Sequence, residues 1–190
     1  MKRLIYPLLI ILIGANLSSC EALKAITAKD LVTFTADMKD RLDSNSIELN
    51  KVQFFIDQRI ILSRSLGSSK AEVKSGKVMF ENGQYTNQII IPALTPGVCE
   101  ASSNGTLHIS FESEGSNIAF GPGLANATDQ FVLLGKEWEN GTAVVTYEGN
   151  EFRAKTANGG NVGDVKLMIK KSDLNKTSKS TRTLKGRKVE

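Results

Sequence analysis

The sequence predicts an all-β protein, a single antiparallel β-sandwich or barrel preceded by a short N-terminal amphipathic helix. Three observations predict it. From Ser46 onward apolar and polar residues alternate with a period of two, the mark of strands with one face buried and one face wet. Turn signals recur every 8–14 residues through that stretch. No sustained helical period lies between them, so the crossovers of a parallel sheet have no sequence to form from.

The elements follow in order. Leu23, Ile26, Leu31, Phe34, Met38 and Leu42 stand at gaps of three to five residues and trace one helical face over 21–43. Asp43-Ser44-Asn45-Ser46 ends that pattern, and the helix is expected to be a stem or a lid docked on the core. Its polar side is mixed in sign, unlike that of a helix lying on a membrane. Strands are expected over 52–56 and 59–66, around Asp57-Gln58, and over 77–81 and 84–91, around Asn82-Gly83. Asn-Gly is the strongest short hairpin signal, because a type I′ turn needs positive φ at both central positions. It recurs at Asn104-Gly105 and Asn140-Gly141. The strand over 106–112 puts Leu107, Ile109 and Phe111 on one face and His108, Ser110 and Glu112 on the other. Strands over 130–134 and 142–147 flank the segment ending in Asn140-Gly141, Tyr147 and Phe152 flank Glu148-Gly149-Asn150, and the last strand falls within 164–170. Phe120-Gly121-Pro122-Gly123 and the segment from Asn158 to Asp164 read as turns. From Lys171 on, little but Leu174, Leu184 and Val189 is apolar, which predicts a flexible tail over 172–190 with one short strand conceivable at Thr183-Leu184.

The first twenty residues carry the most specific signal. Met1-Lys2-Arg3 is basic, residues 4–15 are apolar, and Leu17-Ser18-Ser19-Cys20 follows. These are the parts of an export signal. Residues 4–15 fall short of the roughly 20 needed to cross a bilayer. Leu17-Ser18-Ser19-Cys20 resembles the lipobox of bacterial lipoproteins. The resemblance implies a signal peptide at 1–19, removal of that peptide, and a diacylglycerol on the Cys20 sulfur. It also implies a protein held in the membrane of the bacterial cell envelope, for which the outer membrane, facing the periplasm, is the favoured address. The chain then divides into a lipidated N-terminus and stem at 20–46, a β domain at 47–171 and the basic tail at 172–190.

Charge is unevenly spread beneath the net value of +4. Residues 78–152 hold one basic residue, Lys136, against nine acids, whereas 153–190 hold eleven basic residues and three acids. Lys171, Lys176, Lys179, Arg182, Lys185, Arg187 and Lys188 are the candidate contacts with an anionic surface. No aromatic residue interleaves these charges to stack on bases, so nucleic acid is not an expected partner. With Cys20 acylated, Cys99 has no partner in the chain and is expected to be a buried, inert thiol.

Catalytic constellations are sparse. His108 is the single histidine; Ser110 and Glu112 share its strand face, but such neighbours stand about 7 Å apart. His108 is therefore expected to be a solvent-facing or cross-strand residue. Glu112 and Glu114 have the composition of a glycosidase pair but are expected to be an ordinary hairpin end made soluble by charge. No zinc-ligand spacing exists, and the Gly-Asn-Asp run at 158–164 resembles calcium-binding repeats in one copy where several are needed. No metal and no cofactor is expected. The expected function is a non-enzymatic binding or structural module with an envelope component or anionic surface as partner. A lipocalin-like carrier of an apolar ligand is the alternative, and a hydrolase of envelope material ranks last.

Overall fold

The computed structural model describes residues 26–67, 76–81, 84–113, 115–123 and 129–177, over which strands dominate. A 3-10 turn at Ala28–Asp30 leads into β1 (Leu31–Thr33) and helix α1 (Ala36–Ser44). After a 3-10 turn at Leu49–Lys51 come β2 (Gln53–Ile56), β3 (Ile60–Leu66), β4 (Lys77–Glu81) and β5 (Gln84–Ile91). Next are β6 (Pro96–Ser103), β7 (Thr106–Ser110), β8 (Asn117–Pro122) and β9 (Phe131–Leu133). The chain continues through β10 (Lys136–Glu139), β11 (Thr142–Tyr147) and β12 (Asn150–Thr156). A 3-10 turn at Val162–Asp164, then β13 (Leu167–Lys170) and helix α2 (Lys171–Thr177), complete it.

These strands form two antiparallel sheets, in the orders β1-β13-β2-β6-β7-β8-β9 and β10-β11-β12-β3-β5-β4. The sheets are not closed into a barrel. One core lies between them, built from Phe34, Phe54, Phe120 and Phe131 of the first sheet and Ile60, Leu62, Phe152 and Ala154 of the second, all essentially without exposure. Backbone bonds from Phe131 N to Phe34 O (2.9 Å) and from Leu133 N to Val165 O (3.0 Å) draw β9 back beside the segments flanking β1 and β13. The expected hairpin turns form where they fall in the described residues. Asn104 and Gly105 have φ of 49° and 78°, and Asn140 and Gly141 have 47° and 76°. Asn82-Gly83 lies outside the described residues.

Three expectations need correction. Of the helical stem expected over 21–43, the described part from residue 26 is a strand followed by a short helix: Leu31–Thr33 pairs with β13 in the register Leu31↔Lys170, and helix begins only at Ala36. The β-branched pair Val32-Thr33 favours extended backbone, and the Thr35 hydroxyl accepts from Met38 N (3.3 Å) as an N-cap, which fixes the start. Second, Phe120-Gly121-Pro122 is part of β8, not a turn. A Cβ at Gly121 would meet Leu134 Cδ1 at 2.8 Å, so glycine permits close packing there. Third, the tail does not begin at 172. Lys171–Thr177 is helical, packs against α1 and β13, and half-buries Leu174 on the core.

One buried row runs against the core's character. Arg64 and Asn87 are register partners in β3 and β5, and Asn87 is only 1 % exposed. Arg64 donates from Nη1 to Asn150 Oδ1 (2.6 Å) and lies over the Phe152 ring, but its Nε has no hydrogen-bond partner among the described residues. Among the described residues, neither side-chain atom of Asn87 has one. An unsatisfied buried polar group costs about 1–3 kcal/mol, so Asn87→Val is expected to stabilise the protein by about 1 kcal/mol. Urea unfolding checks this; a lower midpoint would mean that the amide is holding something.

Candidate functional site

The crossing from β9 to β10 shapes the surface that matters. Here the chain passes from one sheet to the other through Leu134 and Gly135. A Cβ at Gly135 would stand 2.7 Å from that of Ala143, so the crossing lies tight against β11. Two hollows open on either side of it and share Leu134 and Gly135.

The larger is a cleft of about 1050 Å³ lined by Asp57, Gln58, Gln130, Trp138, Asp164 and Lys166 among others. Trp138, the single tryptophan, stands on β10, an edge strand exposed at every position. Its indole Nε1 donates to Gly135 O (3.0 Å), and its ring lies so close to Gly163 that a Cβ there would come within 2.9 Å. Gly163 belongs to the 3-10 turn at Val162–Asp164, which is pinned from beneath by the fully buried Val162. Val162 N donates to Gly141 O (2.8 Å), and Asn161 Oδ1 accepts from Gly163 N (2.9 Å). On the far wall Asp57 Oδ1 accepts from Lys166 N (2.7 Å). Desolvation raises the Asp57 carboxyl above its ordinary pKa, opposed by that backbone bond and by the Lys166 charge. The cleft thus has one rigid aromatic wall and a rim of amides and carboxylates.

The smaller is a groove of about 470 Å³, mostly apolar, formed by Ala119, Leu134, Val144 and Val145 with His108 and Asn117 at one end. Asn117 Nδ2 donates to Glu100 Oε2 (3.3 Å), which turns its Oδ1 toward His108 Nδ1 at 3.1 Å. With the amide so oriented, His108 donates from Nδ1. This is the cross-strand pairing role that its strand position suggests.

The structure separates the residues that counting had grouped with His108. Ser110 is buried and donates to Glu112 O (2.8 Å). The Glu112 carboxylate accepts from the Tyr147 hydroxyl (2.5 Å). Burial, with this bond and charge behind it, holds that phenol well above its usual pKa. Each of the three is committed to a different partner, and Glu114 lies outside the described residues. Cys99 is buried, its Sγ donating to Ala101 O (3.3 Å), and desolvation raises the thiol pKa. It is the buried thiol expected. Among the described residues, no group of three or more His, Cys, Asp or Glu is placed to hold a metal ion.

Of the tail cations, Lys171 is exposed and donates from Nζ to Lys29 O (2.7 Å). Lys176 falls within α2. Cys20, Lys179, Arg182, Lys185, Arg187 and Lys188 lie outside the described residues. The cleft beside Trp138 escaped the sequence reading because its walls come from four distant segments. The one available signal was a lone tryptophan between Glu137 and Glu139. Compared with family models, curated proteins and solved structures, the chain finds no match.

Proposed function

We propose that this protein is a lipid-anchored lipoprotein of the bacterial envelope and acts as a non-enzymatic binding module, with its lipid on Cys20. The observation that carries the reading is where the two ends of the body lie. β1 and β13 are neighbours in the register Leu31↔Lys170, and Lys171 bonds to Lys29, so both chain ends leave one edge of the first sheet side by side. Only 21–27 separate Cys20 from the turn at Ala28–Asp30, a reach of at most about 25 Å at 3.3–3.6 Å per residue. An anchored Cys20 therefore keeps that edge near the bilayer. The basic residues that follow α2 in sequence are proposed to meet that surface, where each cation near an anionic surface contributes about 1 kcal/mol. The packed aromatic core favours a surface-binding module over a carrier with an apolar cavity.

Vesicle flotation of the mature lipidated protein tests this reading. The protein is expected to float with neutral phosphatidylcholine vesicles through the lipid alone and to lose its tail quickly to trypsin there. On vesicles containing phosphatidylglycerol the tail is expected to be protected, and added salt should restore cleavage, since screening shortens the attraction to about 8–10 Å. Failure to float with neutral vesicles would refute the anchor. Equal cleavage on both vesicle types would refute the placement of the tail.

A further inference from the structure

We propose that the cleft beside Trp138 binds a neutral, pyranose-based oligosaccharide, with the indole as the stacking platform for one sugar ring. The inference rests on reading the body as a binding module and is independent of the lipid on Cys20. Trp138 is 48 % exposed, a large apolar surface left to solvent on an edge strand. Its ring is nevertheless fixed: the N–H is spent on Gly135 O, and the ring edge rests on Gly163. What remains on offer is a rigid π face, whose partial negative charge suits the polarised C–H groups on the flat side of a pyranose.

The polar rim completes the match. Asn161 uses Oδ1 on Gly163 N, which leaves its Nδ2 as a donor beside the ring. The side chains of Asp164 and Gln130 make no hydrogen bond to another described residue, while Gln58 bonds to the Asp57 carboxylate and makes a long contact from Nε2 to Asp164 O at 3.5 Å. Carboxylates and amides can accept and donate in pairs, as vicinal sugar hydroxyls require.

Other ligand classes fit less well. An apolar ligand would bury these polar groups unpaired, at about 1–3 kcal/mol each. An anion would face Asp57 and Asp164 with Lys166 as its one cationic partner in the lining. At about 1050 Å³ the cleft has room for more than one ring, which favours an oligosaccharide over a monosaccharide.

Because Trp138 is the single tryptophan, its fluorescence reports this cleft alone. The mature chain is to be titrated with cellohexaose, maltohexaose and chitohexaose, with polyethylene glycol as a control for non-specific solvent effects. At least one hexasaccharide is expected to produce a saturable change with a blue shift. Asp164→Asn should weaken that binding at least tenfold, and Trp138→Ala should do the same by calorimetry, with the thermal midpoint of each variant unchanged. Emission unmoved by every hexasaccharide at millimolar concentration overturns the proposal, as does a change that polyethylene glycol reproduces. Calorimetric binding that survives Trp138→Ala would place any sugar site elsewhere and also overturn it. The anchor reading fails separately, by flotation on neutral vesicles.

Discussion

Cys20→Ala is expected to move the protein from the membrane fraction to the soluble fraction, or to leave it as an unprocessed precursor. The argument is energetic. One acyl chain holds a protein only marginally, whereas the two or three chains of a lipidated cysteine, at about 0.8 kcal/mol per buried CH₂, hold it firmly. No helix among the described residues is long and apolar enough to cross a membrane. The proposed binding of the basic tail is an attraction that salt removes. A high-salt wash should therefore release the variant completely and the parent hardly at all. Metabolic labelling with a palmitate analogue is the complementary measurement and should mark only the parent. Label retained by Cys20→Ala would end the lipoprotein reading.

What the sequence reveals about this fold depends on how each residue earns its place. Asn104-Gly105 and Asn140-Gly141 act locally: their positive φ values are demanded by the turn itself, so both hairpins are legible from two residues. Gly97 and Gly121 act at a distance. A Cβ at Gly97 would meet Ile109 Cγ2 at 2.7 Å and the Phe111 ring at 2.8 Å, so this glycine exists for strand packing. In sequence, Pro96-Gly97 and Gly121-Pro122 look like turns, and β6 and β8 were hidden behind them. β10 was hidden for another reason, because a strand exposed at every position shows no alternation. The cleft was the least legible feature. Asp57, Gln130, Trp138 and Asp164 converge only after both sheets are assembled, and no spacing along the chain announces them.

Phe34→Ala is expected to destabilise the protein by about 3–5 kcal/mol, the usual cost of emptying a buried phenylalanine site. The ring is fully buried. It meets Phe54 edge-on at 5.2 Å between centroids and lies 5.0 Å from Phe131. The backbone of the same residue ties three segments together, its N donating to Leu167 O (2.8 Å) and its O accepting from Phe131 N (2.9 Å). Loss of the side chain therefore opens a cavity where β1, β2, β9 and β13 converge, with little freedom to collapse. Against a total stability of about 5–15 kcal/mol this is a large fraction, and the thermal midpoint should fall by roughly 10 °C or more. Met38→Ala is the control that gives the measurement its meaning. On a continuous stem helix, Phe34 and Met38 would occupy equivalent positions one turn apart and cost similar amounts. In the structure Met38 is only half-buried on α1, so its loss should cost much less. Comparable small losses for the two variants would return residues 31–35 to a stem outside the core. A loss several times larger for Phe34→Ala places this segment inside the sheet, and makes β1 part of what holds the domain folded.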